Sequence, residues 1–158
     1  MKNITFLILL LFSLGLYSFA QSAADCPANL SIFAEFAKVK NYDSAYAPWL
    51  EVKTYCPELN EATYIYGERI LGHKIKNLED NAEYISMLGS LYDDWLLYFP
   101  TDRRGKLQRG KIMSAKAQSM LEYQTAPLPE IYATFDEAFN SDMESFANPK
   151  ALYNYFKT

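Results

Sequence analysis

The sequence contains very little histidine, since His73 is the only one among its 158 residues. A single histidine excludes a histidine-rich metal site, and Glu68 stands five residues before it, a poor helical spacing for a shared ligand. Nucleophilic triads are excluded as well, because the chain has neither a second histidine nor a free activated cysteine. We therefore expect His73 to be a surface residue or a contact between hairpins. We expect no catalytic residue, no metal and no cofactor.

Strand patterns are almost absent too. No run alternates apolar and polar residues with an enrichment in β-branched side chains. Apolar residues instead recur at helical spacing, as at Leu30, Phe33 and Ala37. Half of the residues are hydrophobic and 16% are aromatic, which argues against disorder. The sequence predicts a folded, all-α protein.

An excess of positive charge is also missing. Lysine and arginine total 15 against 19 aspartate and glutamate residues, so the formal net charge is −4. A mildly acidic protein has no general attraction to nucleic acid or to anionic lipid. We expect no nucleic-acid partner.

The one long apolar run lies at the beginning of the chain. After the basic start Met1–Asn3, the run Ile4–Leu16 is almost wholly apolar, and Ser18–Ala20 has the small–x–small form of a signal-peptidase site. The pattern predicts a signal peptide over residues 1–20 and a mature domain over 21–158, exported to the periplasm or secreted.

The apolar segment has two other interpretations. As an uncleaved anchor, Ile4–Ala20 is at the short end for a membrane-spanning helix, which needs about 20 residues. A lipoprotein is disfavoured because Asp25 directly precedes Cys26, where a small residue is expected. We expect no membrane span after cleavage.

Prolines divide the mature chain into helical hairpins. Pro57 and Pro100 end the first two hairpins, the segment 127–129 separates two helices of the third, and Asn148 can cap a last helix that begins with Pro149. The fifth helix is predicted to run from about Asp102 to Tyr123. The predicted hairpins cover about 28–57, 60–100 and 102–147, with the beginning of a fourth at 148–158.

The spacing of small, aromatic and proline residues within the first hairpin resembles that of a known helical repeat. Ala45 is followed by Trp49 four residues later, by Val52 seven later and by Pro57 twelve later. This resembles the second half of a tetratricopeptide repeat. The segment 32–36 falls on the first-half positions of that family, although the bulky Phe33 stands where the family has glycine or alanine and should force the two helices apart.

The same offsets recur loosely in the second hairpin, at Leu88, Tyr92, Trp95 and Pro100, with Gly67 in its first helix. The third hairpin has the helical periodicity of apolar residues but lacks the residues of the repeat pattern. The resemblance implies a short solenoid of stacked hairpins of an exported bacterial type. Either the last helix caps this solenoid, or the sequence is the N-terminal part of a longer repeat protein. The resemblance also implies a concave groove, lined by the first helix of each repeat, that binds a protein or peptide.

Two cysteines, Cys26 and Cys56, allow a single pairing, and export permits a disulfide. If Cys26 precedes the first helix and Cys56 follows the second, antiparallel packing places both at the same end. Closing a loop of about 30 residues stabilises by roughly 3.5 kcal/mol in the chain-entropy model. Two buried thiols are the alternative.

Two motifs that resemble functional sites have simpler structural explanations. The segment Gly105–Lys111 matches a phosphate-binding loop, but Ile112 replaces the serine or threonine that should bind magnesium, and no strand precedes it. We interpret it as a helix containing two glycines. The neighbouring carboxylates Asp93–Asp94 and Asp136–Glu137 point about 100° apart on a helix and are interpreted as solvated faces.

The charge distribution offers a candidate surface. The sequence predicts one basic helix, followed by an acidic hairpin arm. These are Arg103, Arg104, Lys106, Arg109, Lys111 and Lys116, and Glu130, Asp136, Glu137, Asp142 and Glu144. Either the two arms neutralise one another, or the basic helix docks an acidic partner. Together with the groove implied by the resemblance, the candidate partner-binding residues are Arg104, Arg109, Lys111, Glu35, Lys38, Glu68 and Lys74.

The favoured function is therefore a non-catalytic scaffold of the cell envelope that binds a protein or peptide. One alternative is a small-ligand receptor or hydrolase module whose site lies in a missing C-terminal part. Another is a structural envelope component. The numerous tyrosines, such as Tyr64 and Tyr92, are interpreted mainly as packing residues.

Overall fold

The computed structural model describes residues 21–157, so the signal peptide predicted over residues 1–20 lies outside the described residues. Seven helices and no strands occur in the described part. They are α1 (Gln21–Lys38), α2 (Tyr42–Tyr55), α3 (Ala62–Asn77), α4 (Ala82–Tyr98), α5 (Arg109–Tyr123), α6 (Leu128–Ser141) and α7 (Pro149–Lys157). The all-α prediction is confirmed.

The helices form antiparallel hairpins that stack in chain order. The pairs α1/α2, α3/α4 and α5/α6 pack most extensively, α2 packs on α3, and α4 packs on α5. Helix α7 packs against both α5 and α6. The predicted stack of hairpins is therefore confirmed, and none of the helices within residues 21–157 is long and apolar enough to cross a membrane.

The first two hairpins share one hydrophobic core. Phe33, Trp49 and Tyr64 are fully buried in it. Phe33 makes an edge contact with the Tyr66 ring, with 6.3 Å between ring centroids, so the bulky side chain is absorbed between α1 and α3. The indole N–H of Trp49 donates a hydrogen bond to the Thr63 carbonyl oxygen at 2.7 Å, which satisfies the polar atom of a buried ring.

The third hairpin and α7 form a second core. It is rich in aromatic rings, with Phe135, Phe146 and Tyr155 in mutual contact. The Asn148 side chain accepts hydrogen bonds from the backbone N–H groups of Lys150 and Ala151, which caps α7 as predicted. Burial of the apolar face of α7 holds this short helix on the hairpin.

The disulfide joins Cys26 and Cys56, whose Cα atoms lie 6.4 Å apart. Cys56 follows α2, as predicted. The prediction that Cys26 precedes the first helix is wrong, because α1 already includes Cys26 and Pro27. A helix accommodates the proline because the ring removes only its own N–H donor and bends the axis locally.

The prediction that the fifth helix begins near Asp102 is also wrong, because α5 begins at Arg109. The Asp102 carboxylate accepts hydrogen bonds from the backbone N–H groups of Arg104 (2.8 Å) and Lys106 (2.9 Å). Such local bonds compete with helix formation. Gly105 adopts a positive φ of 78°, which closes the turn.

Residues 101–107 therefore form a tight turn, which we call the basic turn after Arg103, Arg104 and Lys106. The predicted single basic helix does not exist, because these three residues precede α5.

Candidate functional site

The site lies where the stacking of the hairpins changes. Helix α1 packs on α3, and α5 packs on α7, but among the described helices α3 and α5 do not pack on each other. The basic turn and the first turns of α3 and α5 instead line an open cleft of about 620 Å³. A smaller cavity of about 220 Å³ shares Glu61, Asp102 and Arg103 with it. The two form one groove along the basic turn.

Three side chains that line this cleft, Glu61, Gln108 and Lys111, form a network with Trp95. Glu61 accepts hydrogen bonds through one carboxylate oxygen from the indole N–H of Trp95 (3.3 Å) and from the side-chain amide of Gln108 (2.9 Å). The Gln108 amide oxygen in turn accepts a bond from the Lys111 ammonium at 3.0 Å. That ammonium also lies 4.9 Å from the centroid of the Trp95 ring. Lys111 is therefore held in place by a cation–π contact and a hydrogen bond.

Three of the four cations that line the cleft form no ion pair within residues 21–157. Arg103 and Arg104 are exposed, and neither they nor Lys111 form an ion pair within residues 21–157. The other basic residues of this region are paired: Lys106 with Glu144, Arg109 with Glu137 and Lys116 with Asp93. The pairing leaves Arg103, Arg104 and Lys111 as cleft cations without an ion pair within residues 21–157, and the carboxylates of Glu61, Asp102 and Asp142 line the same cleft.

Asp102 organises the turn that carries two of these cations. The backbone N–H groups of Lys106 and Arg104 hold the pKa of the Asp102 carboxyl below its usual value, because they bond to its charged form. These backbone bonds hold the turn that carries Arg103 and Arg104, and the positive charges of Arg104 and Lys106 lower the pKa of Asp102 further.

The opposite rim of the cleft is set by the start of α5. The N–H of Gly110 donates to the Asp142 carboxylate at 3.2 Å, and the N–H of Lys111 donates to the Ser145 hydroxyl at 2.9 Å. A Cβ atom on Gly110 would lie 2.0 Å from the Asp142 carbonyl oxygen. Gly110 is therefore required for close approach of the loop between α6 and α7. The interpretation of the phosphate-loop match as one helix with two glycines is therefore wrong, because only Gly110 lies in α5 and Gly105 closes the basic turn.

Most of the predicted partner-binding residues are engaged within the protein. Glu35 and Lys38 pair with each other at 2.6 Å, and Lys74 pairs with Asp43 at 2.6 Å. Glu68 accepts a hydrogen bond from the Tyr92 hydroxyl at 3.0 Å. Arg109 pairs with Glu137. Only Arg104 and Lys111 lie unpaired in the cleft.

The other residues singled out from the sequence make contacts between helices. His73 lies 3.3 Å from the Asp43 carboxylate and beside the Tyr42 ring. Asp93 and Asp94 pair with Lys116 and Lys53. A further set of acidic contacts involves Asp136, which accepts a bond from the Tyr155 hydroxyl, and Glu137, which pairs with Arg109.

Sequence reasoning missed Glu61 and Gln108 as cleft residues. They are 47 positions apart, and no motif links them. It included Arg103 in the basic set but did not select it. The local signal that could have found it is the segment Asp102–Gly105, in which an aspartate and a glycine enclose two arginines in a pattern typical of a turn.

No group of three or more potential metal-ligating side chains occurs in the part of the chain that the structure describes. Comparisons of the chain with known protein families, with curated proteins and with solved structures found no match.

Proposed function

We propose that this chain is an exported scaffold of the tetratricopeptide type that works by binding a protein or peptide, not by catalysis. The binding site is the cleft between the second and third hairpins, and the bound segment carries acidic side chains. The observation that carries this proposal is the set of three cleft cations, Arg103, Arg104 and Lys111, that form no ion pair within residues 21–157 while neighbouring basic residues are paired.

The chemistry of these cations favours carboxylates. A guanidinium group presents a planar fork of donors that matches a carboxylate in a bidentate geometry. Lys111 is already ordered by Gln108 and Trp95, so a ligand that contacts it forfeits little side-chain entropy. An open, polar-rimmed groove of this kind suits an extended segment of chain.

Three features support export and the repeat type. The apolar run before Ala20 has the form of a signal peptide, and the Cys26–Cys56 disulfide suits an oxidising compartment. The stacked hairpins are the arrangement in which such repeats bury their apolar faces.

The experiment is affinity capture from an envelope extract of the source organism, followed by mass spectrometry. We expect the wild-type protein to retain one or a few proteins that the double variant Arg103→Glu, Arg104→Glu does not retain. Both arginines are exposed, so their reversal leaves the core intact. Raising the salt concentration should weaken the same captures.

Lys76→Glu is the matched control. Lys76 is exposed and lies at the other end of α3 from Glu61, roughly 20 Å along the helix axis. The control should retain the captured proteins. Capture by all three forms alike would show that the cleft is not the binding site.

A further inference from the structure

We propose that the cleft binds its partner by strand addition: an extended segment with alternating apolar and acidic residues pairs with the backbone of Leu107 on the basic turn. The inference rests on the proposed function and names the binding mode and the class of ligand.

The hydrogen bonds of the basic turn determine which backbone groups are free. Thr101 and Leu107 form an isolated antiparallel bridge. The bonds that flank it run from Asp102 N–H to the Lys106 carbonyl (2.8 Å) and from Gln108 N–H to the Pro100 carbonyl (3.0 Å). In this pattern Thr101 and Leu107 are a non-hydrogen-bonded pair. The N–H and C=O groups of each residue therefore point away from the other and towards the outside of the turn.

These outward groups have no hydrogen-bond partners among the described residues. Such an unpaired edge is a template for another strand. Leu107 lines the larger cavity and its residue surface is 59% exposed, so its edge is accessible from the cleft.

The edge is short. The N–H of Gly105 is bonded to the Asp102 carbonyl, and the N–H of Arg109 is directed to the Asp142 carboxylate. The positions two residues before and after Leu107 thus have no free donor. The turn consequently offers two backbone hydrogen bonds to a ligand, and the charges of the cleft must supply the rest of the affinity.

Strand periodicity then predicts the pattern of ligand side chains. Successive side chains of an extended segment point to opposite faces. The ligand residue opposite Leu107 shares the face of the Leu107 side chain and should be apolar. Its two neighbours lie on the face of Gln108, whose amide oxygen binds Lys111, and these should be acidic.

The test uses a short peptide of alternating valine and glutamate with blocked ends, titrated calorimetrically into the purified protein. Two modified peptides separate backbone pairing from charge. N-methylation of the valines removes the N–H groups that would donate to Leu107, whereas N-methylation of the glutamates removes N–H groups that point away. We expect the first change to weaken binding about fivefold or more and the second to have little effect.

Protein variants provide the reciprocal measurement. Leu107→Pro removes the N–H of Leu107, which the fold itself does not use, and should weaken binding of the unmodified peptide about fivefold. Leu107→Ala keeps the N–H and separates the contribution of the side chain. Circular dichroism checks that each variant remains helical.

Equal affinities for both N-methylated peptides, with binding still lost in the Arg103→Glu, Arg104→Glu variant, would overturn strand addition and leave the cleft as the site. Failure of the alternating peptide to bind wild-type protein would also overturn it. The capture experiment decides the proposed function separately in either case.

Discussion

At the scale of single residues, the distance between α2 and α3 depends on the lack of a side chain at Gly67. The Trp49 ring lies directly over this glycine, and a Cβ atom there would be 2.8 Å from the indole nitrogen and 2.9 Å from Cζ2. The ring cannot retreat easily, because it is fully buried and bonded to the Thr63 carbonyl. The close contact between α2 and α3 thus depends on one residue of each helix, Trp49 and Gly67.

Gly67→Ala should lower the free energy of unfolding by about 1–3 kcal/mol, because the added methyl group overpacks the Trp49 contact. Gly72→Ala in the same helix is the control. Among the described residues, no atom beyond its chain neighbours and its own helix backbone lies within 4 Å of the added Cβ, so the gain in helix propensity should raise stability by up to about 1 kcal/mol. Urea denaturation followed by circular dichroism measures both. Equal stabilisation by the two variants would show that the Trp49 contact is not restrictive.

At the scale of elements, the beginning of α5 depends on a carboxylate from a distant loop. Asp142 is partly buried, which acts to raise its pKa. Hydrogen bonds from the Ser145 hydroxyl and from the backbone N–H groups of Gly110, Ser145 and Arg109 outweigh this effect and hold the pKa of Asp142 below its usual value. The anion is stabilised at a helix N-terminus, where the orphan N–H groups and the helix dipole favour negative charge.

Asp142→Asn should therefore lower the free energy of unfolding by about 1 kcal/mol at neutral pH. The lowered pKa means that the contribution is fully present above the unfolded pKa, near 3.9, and is lost as the pH falls through the folded value. Wild-type protein should lose stability on acidification below about pH 5 more steeply than the variant. Urea unfolding at several pH values measures the difference.

Glu144→Gln is the matched control for this loop. Glu144 pairs with Lys106 on the exposed surface, where solvent screening leaves such an ion pair little effect on stability. We expect a small change in stability and an acid response close to that of the wild type. An Asp142→Asn variant with an unchanged acid response would contradict the capping role.

At the scale of the whole molecule, two cores meet at the junction of α4 and α5, and Leu96 packs against both. The disulfide belongs to the first core, where it ties α1 to the end of α2. Within residues 21–157 it holds the first helix of the stack, which packs against α2 and α3.

Reduction of the disulfide should lower the free energy of unfolding by roughly 3.5 kcal/mol, because the unfolded chain regains the freedom of a loop of about 30 residues. Thermal unfolding with and without reductant measures the change. The double variant Cys26→Ser, Cys56→Ser should match the reduced wild type and should not respond to reductant. A reduced protein as stable as the oxidised one would contradict this expectation.

The sequence by itself determined the helical class and the division into hairpins, and it limited the two cysteines to one possible pair. These properties follow from local information: apolar periodicity, prolines between helices and a cysteine count that allows one pair. The Asn148 cap of α7 could be predicted from the sequence because it too depends on local residues.

Only the tertiary structure decided where α5 begins and which charges remain unpaired. The turn at Asp102 forms because its carboxylate binds nearby backbone N–H groups, and helical periodicity alone does not reveal this competition. The pairing of Arg109 with Glu137 and of Lys74 with Asp43 joins residues far apart in the chain. Charge neutralisation depends on distance in space, so the cleft and its three unpaired cations emerge only after the helices have packed.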